Sequence, residues 1–342
     1  MLKRRVQVIG DTFIISIPKE WARLHGLQKQ DEVFMEILPD LSLLVIPSPR
    51  SIGQHSENTV ELELTGNIRY DLMNIISRYL VGYDEFYIKI NQSNPDYLKL
   101  FQDELTSRVL GLEVVSYEDN LLVIKNIAGD FSIGINEIVD RLFKILDSTL
   151  QDFLTVLESK VFDKNRLMEL VEKDSLADKL TLYSLRVLNK VLLGKHLPRE
   201  YGFSSFLEVN ILYDILRNLE RSIDHVTYIA RGLLRSPVNL IDEDRSHVVR
   251  HVKALREFAD TVRRLVSDFQ YELVYRAIAA RYNEIAEIES RYVDILTRNP
   301  HVYLIIDNLR RIKAYLHDIV ELMMDKNAVI TRIQRTITQR SQ

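Results

Sequence analysis

The spacing of apolar positions changes character three times along the chain. Over residues 1–50 apolar and polar side chains alternate, as in strands covered on one face. Val6, Val8 and Ile9 predict a short first strand, and Phe13-Ile14-Ile15-Ser16-Ile17 a second. Pro18 then precedes Lys19–His25, one or two helical turns closed by Gly26. Val33–Leu38 and Leu41–Ile46 predict two more strands joined at Pro39-Asp40, and Pro47, Ser48, Pro49 and Ser51 mark a linker. Residues 58–128 mix strand and helix periods. The pattern gives a strand at Thr59–Thr65, a helix at Arg69–Leu80 ending near Gly82, and a strand at Glu85–Ile90. A second helix, Pro95–Leu110, is opened by Ser93-Asn94-Pro95 and ended by Gly111. Glu113–Tyr117 and Leu121–Asn126 form a hairpin around Glu118-Asp119-Asn120, which completes a βαβαββ order.

From Asn136 onward the period is helical. The predicted helices are 136–158, 163–194, 203–234, 245–268, 270–297 and 301–328, with breaks at Asp163, Gly194–Pro198, Ser236-Pro237 and Asn299-Pro300. Long amphipathic helices on short loops pack as antiparallel bundles, and these divide into three plus three, consistent with an internal duplication. The fold class is mainly α with an α+β N-terminal part. The expected divisions are a β module at 1–50, a small α/β spacer at 55–130, three-helix bundles at 131–240 and 241–328, and a basic tail at 329–342.

Composition narrows the chemistry. Eleven glycines and eight prolines in 342 residues suit long helices. With no cysteine, disulfides, iron–sulfur clusters and thiolate metal sites are excluded, and a reducing cytoplasm is expected. Lys3-Arg4-Arg5 leads into an alternating stretch and not an apolar core, so no signal peptide is read. No apolar run approaches the roughly 18 residues of a membrane span. The net charge of −4 confines any contact with DNA to a local patch.

Such a patch lies in the first 25 residues, where Lys3, Arg4, Arg5, Lys19 and Arg23 outweigh Asp11 and Glu20. It is sufficient for salt-dependent phosphate contact, though no side chain is marked for base readout. The module is too small to offset its conformational entropy alone, so a second copy is expected to cover its apolar faces and strand edges. Arg5, Gly10, Ile17-Pro18-Lys19, Gly26, Leu27, Asp31 and Val33 together give residues 4–47 a resemblance to the SpoVT/AbrB domain. The resemblance implies a swapped-hairpin homodimer that binds DNA with basic residues on one face. Asp11 departs from the family's small neutral turn residues and would repel phosphate. The alternative is a module that only dimerises, with its basic side chains solvated.

In the helical half, Asp174 and Asp178 are four apart on one predicted helix, and Glu220 and Asp224 are four apart on the next. Each pair shares a helix face, where like charges destabilise unless a cation lies between them. Together they could form an oxygen-rich site for a hard or borderline cation, with His225 as a supporting partner. Alternatively they are solvated faces paired with Lys173, Lys179, Arg217 and Arg221. Leu219-Glu220-Arg221-Ser222-Ile223-Asp224-His225 resembles the Leu-Glu-Arg-Ile-Gly-Asp-His signature of PhoU proteins, with Asp174-Ser175-Leu176-Ala177-Asp178 as the partner motif. Over residues 136–325 the resemblance implies two three-helix bundles, metal held by these motifs, and negative regulation of phosphate uptake.

The second bundle departs from that pattern. Leu309-Arg310-Arg311-Ile312-Lys313-Ala314-Tyr315 has Arg310 in place of the glutamate and Ala314 in place of the aspartate, and Glu284 and Glu287 are out of register. One metal ion (Fe, Zn, Mn or Mg) is therefore expected, in the first bundle only. Arg310, Arg311 and Lys313 are read as a solvated basic face or a site for an acidic partner or phosphate. His247 and His251 are read as solvated or capping. There is no nucleophile–base pair, phosphate-cradling loop or dinucleotide fingerprint, so no enzyme is expected, and a metal-dependent hydrolase is the weakest option. The expected protein is a cytoplasmic, dimeric, DNA-binding regulator of phosphate homeostasis. The alternative docks on a phosphate transporter or signalling kinase and uses the N-terminal module only to pair. No insertion into a membrane is expected.

Overall fold

The computed structural model describes residues 3–37, 42–47, 58–90, 94–128, 134–159 and 162–338. The chain divides into two compact units, residues 1–59 and 60–342. The predicted turn at Pro39-Asp40 and most of the predicted linker lie outside the described residues.

The first unit contains β1 (Gln7–Ile9), β2 (Thr12–Ile14), α1 (Lys19–Leu24), β3 (Val33–Ile37) and β4 (Leu43–Pro47). The strands form two separate antiparallel hairpins, β1–β2 and β3–β4. Gly10 takes φ +60 at the first turn, a conformation that costs other residues strain. β2 is shorter than predicted. Its last pair is Gln7 with Ile14, so Ile15–Ile17 run on without a partner strand in the described chain. Among this unit's described residues only Pro47 is buried. Phe13 is 75% exposed and Ile37 71%.

The second unit begins with the βαβαββ order: β5 (Thr59–Glu63), α2 (Ile68–Leu80), β6 (Glu85–Lys89), α3 (Pro95–Arg108), β7 (Leu112–Glu118) and β8 (Leu121–Asn126). The sheet order is β5-β6-β8-β7, with a bulge in β7 between Val114 and Ser116. Phe86, Ile88, Leu122 and Ile124 of the central strands pack with Ile75 and Tyr79 of α2 and Phe101 and Leu105 of α3. Asn67 and Asn94 cap the two helices through their side chains. Asp71 is buried behind the first cap, where it accepts from the Thr65 and Gly66 backbone amides and from the Tyr97 hydroxyl.

The helical body follows as α4 (Ile135–Glu158), α5 (Lys164–Leu192), α6 (Phe206–Arg235), α7 (Asp242–Ser267), α8 (Tyr271–Ala279), α9 (Ala286–Ser290), α10 (Tyr292–Arg298) and α11 (Tyr303–Thr338). One continuous apolar core runs from Ile135 to Met323. Asp163 caps α5 and Ser205 caps α6. α6 and α11 approach closely at Gly232, where an added Cβ would lie 2.1 Å from Leu304 Cδ2. α11 runs through the first part of the predicted basic tail as far as Thr338.

The predicted helix 270–297 needs correction. It is interrupted by a π-helical stretch, Ala280–Ile285, and again at Arg291. No proline or glycine marks either break, so composition gave no warning. The wider turn changes the face that follows it. Ile285, Ile288, Tyr292 and Ile295 are buried, and Glu289 turns inward with them. Such insertions recur at functional positions.

Candidate functional site

α5 and α6 bring the predicted carboxylates together. One oxygen from each of Asp174, Asp178 and Asp224 lies within 4.8 Å of the others. Glu220 stands one turn before Asp224 on α6, on the same face. Asp174 is the most buried of the four. It accepts from Thr227 Oγ1 at 3.3 Å and from Arg231 Nη2 at 2.6 Å.

The predicted cationic partners are only partly right. Lys173 donates instead to Ser148 and Asp152 across on α4. Arg231, two turns beyond the Asp224 motif, is the residue paired with Asp174. Arg217 and Arg221 lie within electrostatic reach of Glu220. His225 does not support a carboxylate. Its Nδ1 hydrogen-bonds to Asn308 and its ring stacks on Tyr315, because α6 turns that face toward α11.

The electrostatics are those of an under-compensated acidic site. Burial pushes the Asp178 carboxyl up to about 6, aided by the charges of Asp174 and Glu220 and opposed by Arg108 and Arg231. Asp224 is raised further, first by desolvation and then by Glu220 and Asp174. Glu220 is raised by burial and held back by Arg217 and Arg221. The raised proton affinities of Asp178, Glu220 and Asp224 mean that a multivalent cation entering here would displace protons. The donors are all oxygen, which suits a hard or borderline ion. A cleft of about 510 Å³ opens beside Asp224, lined in part by Tyr228, Arg231, Tyr303, Asn308 and Arg311.

The second bundle has a different solution. Lys313 of α11 donates to Glu289 Oε2 of α9, and both side chains are largely buried. His251 of α7 is fully buried, with Nδ1 hydrogen-bonded to the Tyr292 hydroxyl. Its Nε2 lies 3.9 Å from Glu289 Oε1, and neither of these two atoms has a hydrogen-bond partner. Burial, then Lys313, His247 and Arg310, push the imidazole down to about 3. His247 is bound through Nε2 to the Ile288 carbonyl at 2.7 Å. His251 is therefore not solvated, as its place near the start of a helix beside Arg250 had suggested, whereas the half-buried His247 bonds a carbonyl in the last turn of α9. Lys313 likewise leaves the expected solvated basic face, on which Arg310 and Arg311 remain exposed. Glu289 escaped the sequence reading because its inward turn depends on the π-helical stretch.

In the first unit, Lys3, Arg4 and Arg5 precede β1, and Lys19 and Arg23 stand one turn apart on α1. All five are exposed. Asp11 is exposed at the β1–β2 turn.

Residues 6–53 match the family model described as antidote-toxin recognition MazE, bacterial antitoxin. The N-terminal module is thus similar to MazE/AbrB-type domains, in the segment where the SpoVT/AbrB pattern was read. The match stops short of the helical body. No curated protein matches the chain. Among the described residues, no helix is long and apolar enough to cross a membrane.

Proposed function

We propose that this chain is a dimeric, DNA-binding regulator of phosphate homeostasis, non-enzymatic and cytoplasmic, whose helical body senses a metal ion or a partner. The observation that carries this reading is the N-terminal module. It combines a MazE-type match with five exposed basic side chains and, among the described residues, strands whose apolar side chains are exposed. A second copy would cover those strands and double the basic patch. The phosphate context rests on the PhoU resemblance of residues 136–325 alone.

In the helical body, Asp174, Asp178, Glu220 and Asp224 would hold the metal, and bound metal would supply positive charge to replace their shared protons. Arg231 would have to yield its hold on Asp174 as the ion enters. A shift in the α5–α6 pair would then be the signal passed to the N-terminal module.

A second reading is favoured by the description of the matching family, which names toxin recognition and hence a protein partner. There the module dimerises and docks on protein, with a phosphate transporter or kinase as the candidate. A mobility-shift assay on DNA upstream of the protein's own gene separates the two. Parent protein should shift the DNA at low salt. The Arg4→Ala/Arg5→Ala double variant should bind more weakly and with a flatter salt slope. No shift at low salt would sink the DNA-binding reading and promote the docking one.

A further inference from the structure

A cleft of about 520 Å³ opens between α7 and α10, with His247, Arg250, Arg291, Asp294 and Arg298 in its lining. The two helices run antiparallel. Arg298, at the end of α10, donates to Asp244 Oδ1 in the first turn of α7 at 2.6 Å, and further along the pair Tyr292 meets His251. Asp244 is 2% exposed, and Glu243 Oε2 lies 3.9 Å from Arg298 Nη1. At this end of the cleft the protein neutralises its own charge.

The other end is different. Arg250 lies six residues beyond Asp244 on α7, about 9 Å away at 1.5 Å per residue. Arg291 stands at the break between α9 and α10, and the contact of Tyr292 with His251 brings it level with Arg250. His247 sits between the two. Its Nε2 donates to the Ile288 carbonyl at 2.7 Å, which leaves Nδ1 as the acceptor for Arg250 Nη2 at 3.3 Å. Its ring is held edge-on to Tyr292. Burial first, and then the charges of Arg250 and Arg291, push the imidazole below its ordinary value, so it adds no third cation. Among the described residues, neither Arg250 nor Arg291 forms an ion pair. Two like charges facing one cleft repel unless an anion lies between them. Asp294 lines the same cleft three residues past Arg291, on the same side of α10.

We propose that this end of the cleft binds inorganic phosphate as its protonated dianion, hydrogen phosphate. The two guanidinium forks, one from α7 and one from the α9–α10 break, take the unprotonated oxygens and balance the double charge. Asp294 accepts the P–OH proton, since an ionised carboxylate can only accept. Sulfate near neutral pH offers acceptor oxygens alone, so the same carboxylate repels it. One acid in a basic site thereby selects the anion that still has a proton to give. The inference goes beyond the metal reading and does not depend on it, because the cleft belongs to the second bundle.

Calorimetric titration of the full-length, metal-stripped protein with inorganic phosphate and with sulfate, near neutral pH, tests this. The parent should bind phosphate, and sulfate roughly tenfold more weakly, the scale of one lost charge-assisted hydrogen bond. Arg250→Gln and Arg291→Gln should each weaken phosphate binding about tenfold. Asp294→Asn should bring the two anions level, because an amide can donate to sulfate. That variant gains a ligand, which damage to the fold cannot mimic. Asp224→Asn, in the first bundle, should leave phosphate affinity unchanged. A parent that binds no phosphate overturns the proposal, and so does undiminished binding in both arginine variants. Loss of phosphate binding in Asp224→Asn would place the anion at the carboxylates and overturn it as well. Equal affinities of the parent for phosphate and sulfate would overturn the part given to Asp294, and with it hydrogen phosphate as the ligand. The mobility-shift and metal-content measurements stand apart from all of these results.

Discussion

The two halves of the helical body bury charge in opposite ways. The α5–α6 pair gathers four carboxyl groups, and burial first, with their mutual repulsion, raises the proton affinities of Asp178, Glu220 and Asp224. Around α7, α9 and α11 a single carboxylate is met by a lysine on a neighbouring helix, and the nearby histidine is kept neutral. On the proposed reading, the first arrangement takes its cation from solution. The second carries its own, tethered through the Lys313 side chain. A buried ammonium beside Glu289 and His251 would repel a metal ion from that position, which is a stronger reason for a single site than the missing Asp and Glu ligands.

The largest effect should come from removing the tethered cation. Lys313→Met leaves Glu289 buried without its partner and should cost about 3 kcal/mol in urea unfolding of the metal-free protein. A loss below about 1 kcal/mol would mean that the pair is solvated and the contrast overstated. Asp224→Asn should act the other way. It removes a buried carboxyl that must hold its proton in the folded chain, raised from 3.8 to about 9, so the metal-free chain should gain stability on the order of 1 kcal/mol or more at pH 8. The same variant should contain no metal by elemental analysis. Metal content equal to the parent's would rule out this site.

A subtler contrast lies in pH. The Asp178 carboxyl is raised from 3.8 to about 6 in the folded chain. Its contribution to stability is complete below the unfolded value and is lost as pH rises through the folded one. His251 is lowered from 6.5 to about 3, so its contribution is complete above 6.5 and lost as pH falls toward 3. The two windows overlap between 3.8 and about 6, where they oppose each other, so in a chelator these groups leave the parent's melting temperature nearly level there. Asp178→Asn should make it rise with pH over that range, and His251→Phe should make it fall. The smallest expected effect is at the α6–α11 contact. Gly232→Ala should lose no more than about 1 kcal/mol, because the gain in helix propensity offsets the displacement of Leu304.

Much of this was legible before any coordinates. Alternation and helical spacing fixed the order of elements across the α/β domain almost to the residue, since turns such as Gly82, Gly111 and Asp119-Asn120 end each period sharply. The spacing of Asp174, Asp178, Glu220 and Asp224 put each pair on one helix face, because the helical repeat alone requires it. The five exposed basic residues of the N-terminal module were equally readable, as charges on short elements that cannot be buried singly.

What resisted was everything decided between elements. Arg231 lies 57 residues from Asp174 in sequence, and only the packing of α6 against α5 brings the two together. Glu289 turns inward only because a π-helical stretch with no sequence breaker precedes it. Lys313 reads as part of a basic run until α9 places a carboxylate against it. The sequence by itself determined the elements, their faces and the charges each face carries, because these follow from local periodicity. Tertiary structure alone decided which charges meet, since a buried charge takes its partner from whichever helix is nearest in space.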